Sequence, residues 1–242
     1  MKYLKIKIMH KTIISILLFM LTVVLGVIMH QRNQKILVTL KNISWEDDRP
    51  IWMPKDSVNK LLKLALKDSV SAFKSGLNLR NIEQTLNQNA WVEDAQSYVT
   101  IDGSVGVHVI TKIPIVRIQS DSSYYLDNLG EPFPLSTFKS VQVPFVYGNP
   151  SVKRRHALIE VVRQITKDTF MSDHIVSYEW TSDGLVVEPR HQEYSIVLGT
   201  PDQLHDKIKN YKAFYAKMQD STVLKTYKKV NLSFYGQVVC SK

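Results

Sequence analysis

Residues Thr12 to Met29 form a run of eighteen positions without a charge. Eighteen residues of helix extend about 27 Å, close to the hydrocarbon thickness of a bilayer. Lys2, Lys5, Lys7 and Lys11 precede the run, whereas Arg32, Lys35 and Lys41 follow it more sparsely. Basic residues stay preferentially on the cytoplasmic side, so the short tail is expected inside and the rest of the chain outside. A cleaved signal peptide has a shorter apolar core and a small-residue cleavage site. Val27-Ile28-Met29-His30 offers no such site. A core helix of a soluble protein carries a polar face, and this run has only Ser15 and Thr22 to supply one. The segment therefore reads as an uncleaved anchor, with residues 1–11 as a cytoplasmic tail and 12–29 as a transmembrane helix.

The charge distribution narrows the function. The chain has 242 residues and a formal net charge of +9. Seven Lys or Arg and no acid fall before Glu46, which leaves 24 basic and 22 acidic residues for the remainder. The basic excess sits mainly beside the membrane, where it meets anionic headgroups. Nucleic-acid binding lacks the charge footprint it needs. Cys240 is the single cysteine, so no disulfide forms within the chain, and some 200 residues can bury a core without one.

Beyond the anchor, Ile36 to Ile43 alternates as a strand does. Val58, Leu61, Leu62, Ala65 and Leu66 mark the apolar stripe of a helix that opens near Asp56 or Ser57, in a segment ended by Gly76. Leu79, Ile82 and Leu86 mark a shorter helix capped by Asn78. Trp91 to Ile101 and Ser104 to Thr111 read as a hairpin with Asp102-Gly103 as a type I′ turn. Strand, helix, helix, strand, strand is enough for two helices to cover one face of a small sheet.

After Pro114 short strands dominate: 115–119, 124–127, 143–147, 175–180, 185–188 and 194–198, with a turn at Asn128-Leu129-Gly130. Leu158, Val161, Val162 and Ile165 give one helix, and Leu204, Ile208, Tyr211, Tyr215 and Met218 another. Thr200-Pro201-Asp202-Gln203 reads as a capping box for the second. Val230 to Val239 is expected as a single closing strand. The fold class is thus α+β, with a βααββ domain over 30–113 and a mostly β domain with two helices over 114–242.

These residues resemble a known family, the bacterial cell-division proteins FtsQ/DivIB. Leu79-Arg80-Asn81-Ile82-Glu83 through Asn89-Ala90-Trp91-Val92 looks like the family's first-domain signature. Lys112-Ile113-Pro114, Tyr124 to Gly130, Val143-Pro144, Gly148, Leu198-Gly199 and Val230-Asn231-Leu232 with Gln237-Val238-Val239 are similar to later parts of it. Ala90 stands where the family commonly has Pro, and Lys112 where it has Arg. The resemblance implies a polypeptide-transport-associated (POTRA) domain followed by a β domain, and no catalytic activity or cofactor. It implies a scaffold at the division septum that holds FtsB/FtsL-type membrane proteins and thereby influences the synthase FtsW–FtsI. The alternatives are a translocation component with a POTRA-like domain, or a membrane-tethered cell-wall enzyme. Neither finds its signature: tandem POTRA copies or a barrel for the first, a catalytic constellation for the second.

Candidate interaction residues cluster late in the chain. Lys228 and Lys229 lead into the closing strand, where a charge pair guards an edge or steers an acidic partner. Val230, Leu232 and Phe234 alternate with Ser233 and Tyr235, and Gln237 and Val239 follow. A chain-terminal strand often ends at a sheet edge that accepts a partner strand, and the resemblance points to the same region. Which parity of this strand faces outward is not readable from sequence. Lys153-Arg154-Arg155-His156 reads as the solvated first turn of a helix, with an acidic contact as the alternative.

Overall fold

The computed structural model describes residues 2–37, 39–46, 48–68 and 77–242. Gly76 lies outside the described residues, as do the side chains of Ala65 and Leu66. Helix α1, Lys2–Gln34, continues past both ends of the uncharged run. Every described side chain from Ile13 to Gln34 is exposed, including Leu17, Leu18, Phe19 and Met20. Water rejects such a surface and hydrocarbon accepts it.

The rest divides into two compact units, one of Met1–Asp48 with Met53–Thr111 and one of Arg49–Trp52 with Lys112–Lys242. In the first, β1 (Thr39–Trp45), α2 (Lys55–Asp68), α3 (Leu79–Asn87), β2 (Val92–Val99) and β3 (Ser104–Thr111) follow the expected order. The sheet runs β1-β3-β2, with β1 parallel and β2 antiparallel to β3. Val58 and Leu62 of α2 and Ile82 and Leu86 of α3 pack on Val105, Val107 and Val109 of the central strand. Asn78 caps α3 as expected, its side chain accepting from the Asn81 amide. The hairpin turn differs from expectation. A type I′ turn needs positive φ at both central residues, yet Asp102 has none and only Gly103 is left-handed, at φ +84°. The chain instead turns through Ile101 and Asp102, with the Gly103 amide on the Thr100 carbonyl at 3.1 Å and the Thr100 amide on Ser104 at 2.9 Å. Gly103 supplies the left-handed residue that a longer loop of this kind requires.

The second unit is a nine-stranded sheet with helices. It comprises β4 (Val116–Gln119), β5 (Tyr124–Leu126), β6 (Pro132–Pro134), β7 (Phe145–Tyr147), α4 (Val152–Lys167), α5 (Thr169–His174), β8 (Ile175–Thr181), β9 (Gly184–Pro189), β10 (Ser195–Gly199), α6 (Leu204–Met218), β11 (Lys229–Asn231) and β12 (Val239–Ser241). Strand order is β12-β11-β10-β9-β8-β7-β4-β5-β6. Leu158, Val161, Val162 and Ile165 of α4 and Leu204, Ile208 and Tyr211 of α6 share one core with Val116, Ile118, Val146, Tyr178, Val187 and Ile196 of the sheet. The Asn128-Leu129-Gly130 turn forms as expected, with Asp127 Oδ1 accepting from the Leu129 and Glu131 amides.

Two elements were not legible, each for a local reason. Strand β6 is bracketed by prolines, which remove donors from the ladder. Helix α5 begins on the residue that ends α4: Asp168 turns out of the helical region and accepts the Met171 amide. The capping box at Thr200 does not form either. The N-cap is Gln203 in a left-handed conformation, φ +55°, without a side-chain bond, and the Lys207 ammonium takes the Thr200 carbonyl instead.

Candidate partner-binding edge

The closing strand is the largest departure from expectation. Val230 to Val239 is not one strand but two short ones, β11 and β12, paired antiparallel as Lys229↔Ser241, Val230↔Cys240 and Asn231↔Val239. The reversal has two local causes. Asn231 Oδ1 accepts from the Ser233 amide at 2.8 Å and the Ser233 hydroxyl at 2.6 Å, an Asx turn that ends the strand. Gly236 then takes φ +66°, which favours glycine. Leu232, Ser233, Phe234, Tyr235 and Gln237 therefore sit in the connection, and the edge of the sheet is β12.

The ladder fixes which backbone groups face outward. The Ser195 amide donates to the Lys228 carbonyl at 3.0 Å, and the Leu232 amide to Val197 at 2.9 Å. In a parallel ladder with this register, Val230 spends both its groups on β10. Lys229 and Asn231 are then the residues that bond β12 through Ser241 and Val239. Alternation along β12 turns the Cys240 N–H and C=O away from the sheet. The Cys240 side chain packs against the core instead, and that burial pushes its thiol pKa up. It contributes backbone to the edge, not thiol chemistry.

The expected site residues separate by role. Val230 and Leu232 are core, at 0% and 2% exposure. Phe234 and Tyr235 are exposed at 53% and 81%. With the start of α6 their loop encloses a hollow of about 270 Å³, beside Thr200, Asp206 and Lys207. Lys207 is itself buried; it donates to the Leu198 and Thr200 carbonyls at 2.8 and 2.7 Å, and desolvation lowers its pKa. Lys228 pairs with Glu193 at 3.5 Å and Lys229 with Asp183 at 2.8 Å, all on the surface, where such pairs contribute little stability. Val239 points outward at 43% exposure. Cys240 and Ser241 are the edge residues that sequence reasoning missed. The turn residues Asn231 and Gly236, followed by Val238, Val239 and Cys240, were the signal for a returning strand.

The opposite edge is closed by composition. Strand β6 is Pro132-Phe133-Pro134, and proline blunts an edge because it has no N–H to offer. The exposed turn of α4 is partly occupied as well. Arg154 lies over the Trp180 ring, Arg155 lies over Tyr124 and donates to the Pro150 carbonyl at 3.0 Å. Lys153, Arg154 and His156 remain exposed.

Residues 113–241 match the family model for FtsQ/DivIB, C-terminal related. That span covers more than half of the chain. The chain belongs to the FtsQ/DivIB family. Members of this family are membrane-anchored, non-enzymatic cell-division proteins with an extracytoplasmic domain, and α1 fits the anchor. A cell-division role follows for this chain. A solved structure of the major extracytoplasmic domain of the trans isomer of the cell-division protein DivIB from Geobacillus stearothermophilus aligns with 46% of this chain and 97% of that one. Identity is 14% and the TM-score 0.33, too loose a likeness for residue-by-residue comparison. Over 78 residues the chain is 36% identical to anthranilate synthase beta subunit 1, chloroplastic, from Arabidopsis thaliana. It covers 32% of this chain and 24% of that protein, so the chain spans about a quarter of the curated relative it matches. The role of this FtsQ/DivIB member does not draw on so short a stretch.

Proposed function

We propose that this chain is a single-pass scaffold of the bacterial divisome, type II in orientation, with both folded units outside the cytoplasmic membrane. It acts at the division septum without catalysis. The first unit serves as the POTRA domain, and the second holds FtsB/FtsL-type membrane proteins and so links them to septal peptidoglycan synthesis by FtsW–FtsI. The observation that carries the partner reading is the free edge of β12, where Cys240 directs an N–H and a C=O outward on a strand without proline. An added strand takes its affinity from such backbone groups and its specificity from flanking side chains. Phe234 and Tyr235 are the exposed aromatic anchors beside that edge.

The test is Cys240→Pro, which removes the outward donor while leaving the donors of Val239 and Ser241 to β11. Cys240→Ala is the control, because it keeps the backbone. Partner recovery is measured by co-purification from membranes, alongside thermal melting. The expected result is loss of recovery for the proline variant and near-normal recovery for the alanine variant, with both folded. A proline variant that melts normally and recovers its partners in full places the binding surface elsewhere.

A further inference from the structure

A second surface has a composition that the edge strand does not explain. Helix α6 presents His205, Ile208, Lys209 and Lys212 at i, i+3, i+4 and i+7, which puts them on one stripe. That stripe faces the C-terminal end of α4, and the two enclose a groove of about 580 Å³ that also takes in Lys167 and Asp168. Ile208, 8% exposed, lies at its floor. Asp168 is the one carboxylate in the lining, and it is already committed. It bonds the Lys212 ammonium at 2.7 Å and caps α5 through the Met171 amide at 3.0 Å. Lys212 holds its carboxyl below the usual range. No described residue pairs with Lys167, Lys209 or His205.

We propose that this groove docks a short acidic peptide segment of another protein, with one apolar side chain over Ile208 and carboxylates on Lys167 and Lys209. Charge complementarity sets the sign of the occupant. Two features favour carboxylate-bearing peptide over a phosphate polymer or a lipid surface. The cations are lysines, point charges without the planar fork that grips phosphate bidentately. The floor is apolar and is lined by lysine stems, so an occupant without a side chain to bury leaves it unused. The volume suits one large side chain and its neighbours rather than a whole helix, so the contact is a weak, transient one. The positive rim speeds encounter with an acidic segment and makes the affinity salt-dependent.

The probe is a fluorescein-labelled peptide with two glutamates on each side of one leucine. It is titrated by anisotropy against the full chain in phosphatidylcholine nanodiscs. The expected result is micromolar binding that weakens at high salt. Replacing the leucine by serine, or the glutamates by glutamine, weakens it at least tenfold. Lys167→Glu with Lys209→Glu abolishes it while the melting temperature stays within about 2 °C, and Lys209→Gln weakens it severalfold. Cys240→Pro leaves it unchanged, which separates this site from the β12 edge. The proposal is overturned if the peptide does not bind at millimolar concentration, or if the charge-reversed variant binds as the wild type does. It is equally overturned if poly(glycerol phosphate) or phosphatidylglycerol vesicles bind more tightly than the peptide.

Discussion

Trp52 offers the sharpest test of how the second unit is built. It is 1% exposed, and it comes from the four-residue stretch Arg49–Trp52 that groups with the second unit rather than with its sequence neighbours. Its ring meets Tyr125 at 5.5 Å and Phe133 at 5.7 Å, while its Nε1 donates to the Lys112 carbonyl at 2.8 Å. The Ser136 hydroxyl also donates to the Trp52 carbonyl. Truncating a buried tryptophan to alanine costs about 3–5 kcal/mol, and leaving a carbonyl without its donor adds roughly 1 kcal/mol. For a unit of this size, each kcal/mol lowers the melting temperature by about 2–8 °C. Trp52→Ala is therefore expected to melt at least about 8 °C lower, and Trp52→Phe, which keeps a ring but not the indole donor, to fall between. Melting is followed by circular dichroism of the full chain, and hydrogen exchange of peptides spanning 116–134 locates the loss. Exchange should accelerate there first. An alanine variant within about 2 °C of wild type, with unchanged exchange at β4 to β6, refutes this account of the packing.

Two further outcomes follow from named contacts. Glu83 of α3 accepts from the Ser97 amide at 2.8 Å and the Ser97 hydroxyl at 3.0 Å, closing an otherwise open amide on the β2 edge. Glu83→Ala should destabilise the first unit by about 1–3 kcal/mol and raise self-association in light scattering. Unchanged melting and scattering would remove the edge-closing role. His174 is buried, bonded through Nε2 to Tyr211 at 2.6 Å, stacked on Phe170 and edge-on to Tyr215. Tyr211 bonds Tyr194 in turn at 2.9 Å, and burial pushes Tyr194 up to about 12, so both phenols stay neutral. Desolvation first, then the charge of His191, lowers the His174 pKa. The unfolded chain then binds the proton more readily, so stability is complete above about pH 6.5 and falls as pH drops through the depressed folded value. The slope contributed is at most about 1.4 kcal/mol per pH unit. The difference in melting temperature between wild type and His174→Phe should shift with pH below 6.5 and stay constant above it; a difference independent of pH throughout counts against the buried neutral imidazole.

Much of the architecture follows from local patterns, because the physics that sets it is local. The charge-free run from Thr12 to Met29 requires an apolar surrounding whatever follows it. The spacing of Leu158, Val161, Val162 and Ile165 makes a helix with one buried face, and Asn78 caps α3 through its own side chain. Asp127 closes its turn with contacts four residues away or less. Tertiary structure decided what depends on distant partners. Val230 to Val239 has strand-like alternation throughout, but its pairing could be settled only by β10 on one side and by the chain folding back on the other. Asn231 and Gly236 carried the turn signal, and the apolar rhythm around them hid it. Trp52 lies between β1 and α2, outside any periodic pattern, and only the distant Tyr125, Phe133 and Lys112 carbonyl account for its burial. The parity of the edge is likewise a property of the ladder. Val230 has to spend its N–H and C=O on β10 before Cys240 can face outward, and no residue of β12 encodes that by itself.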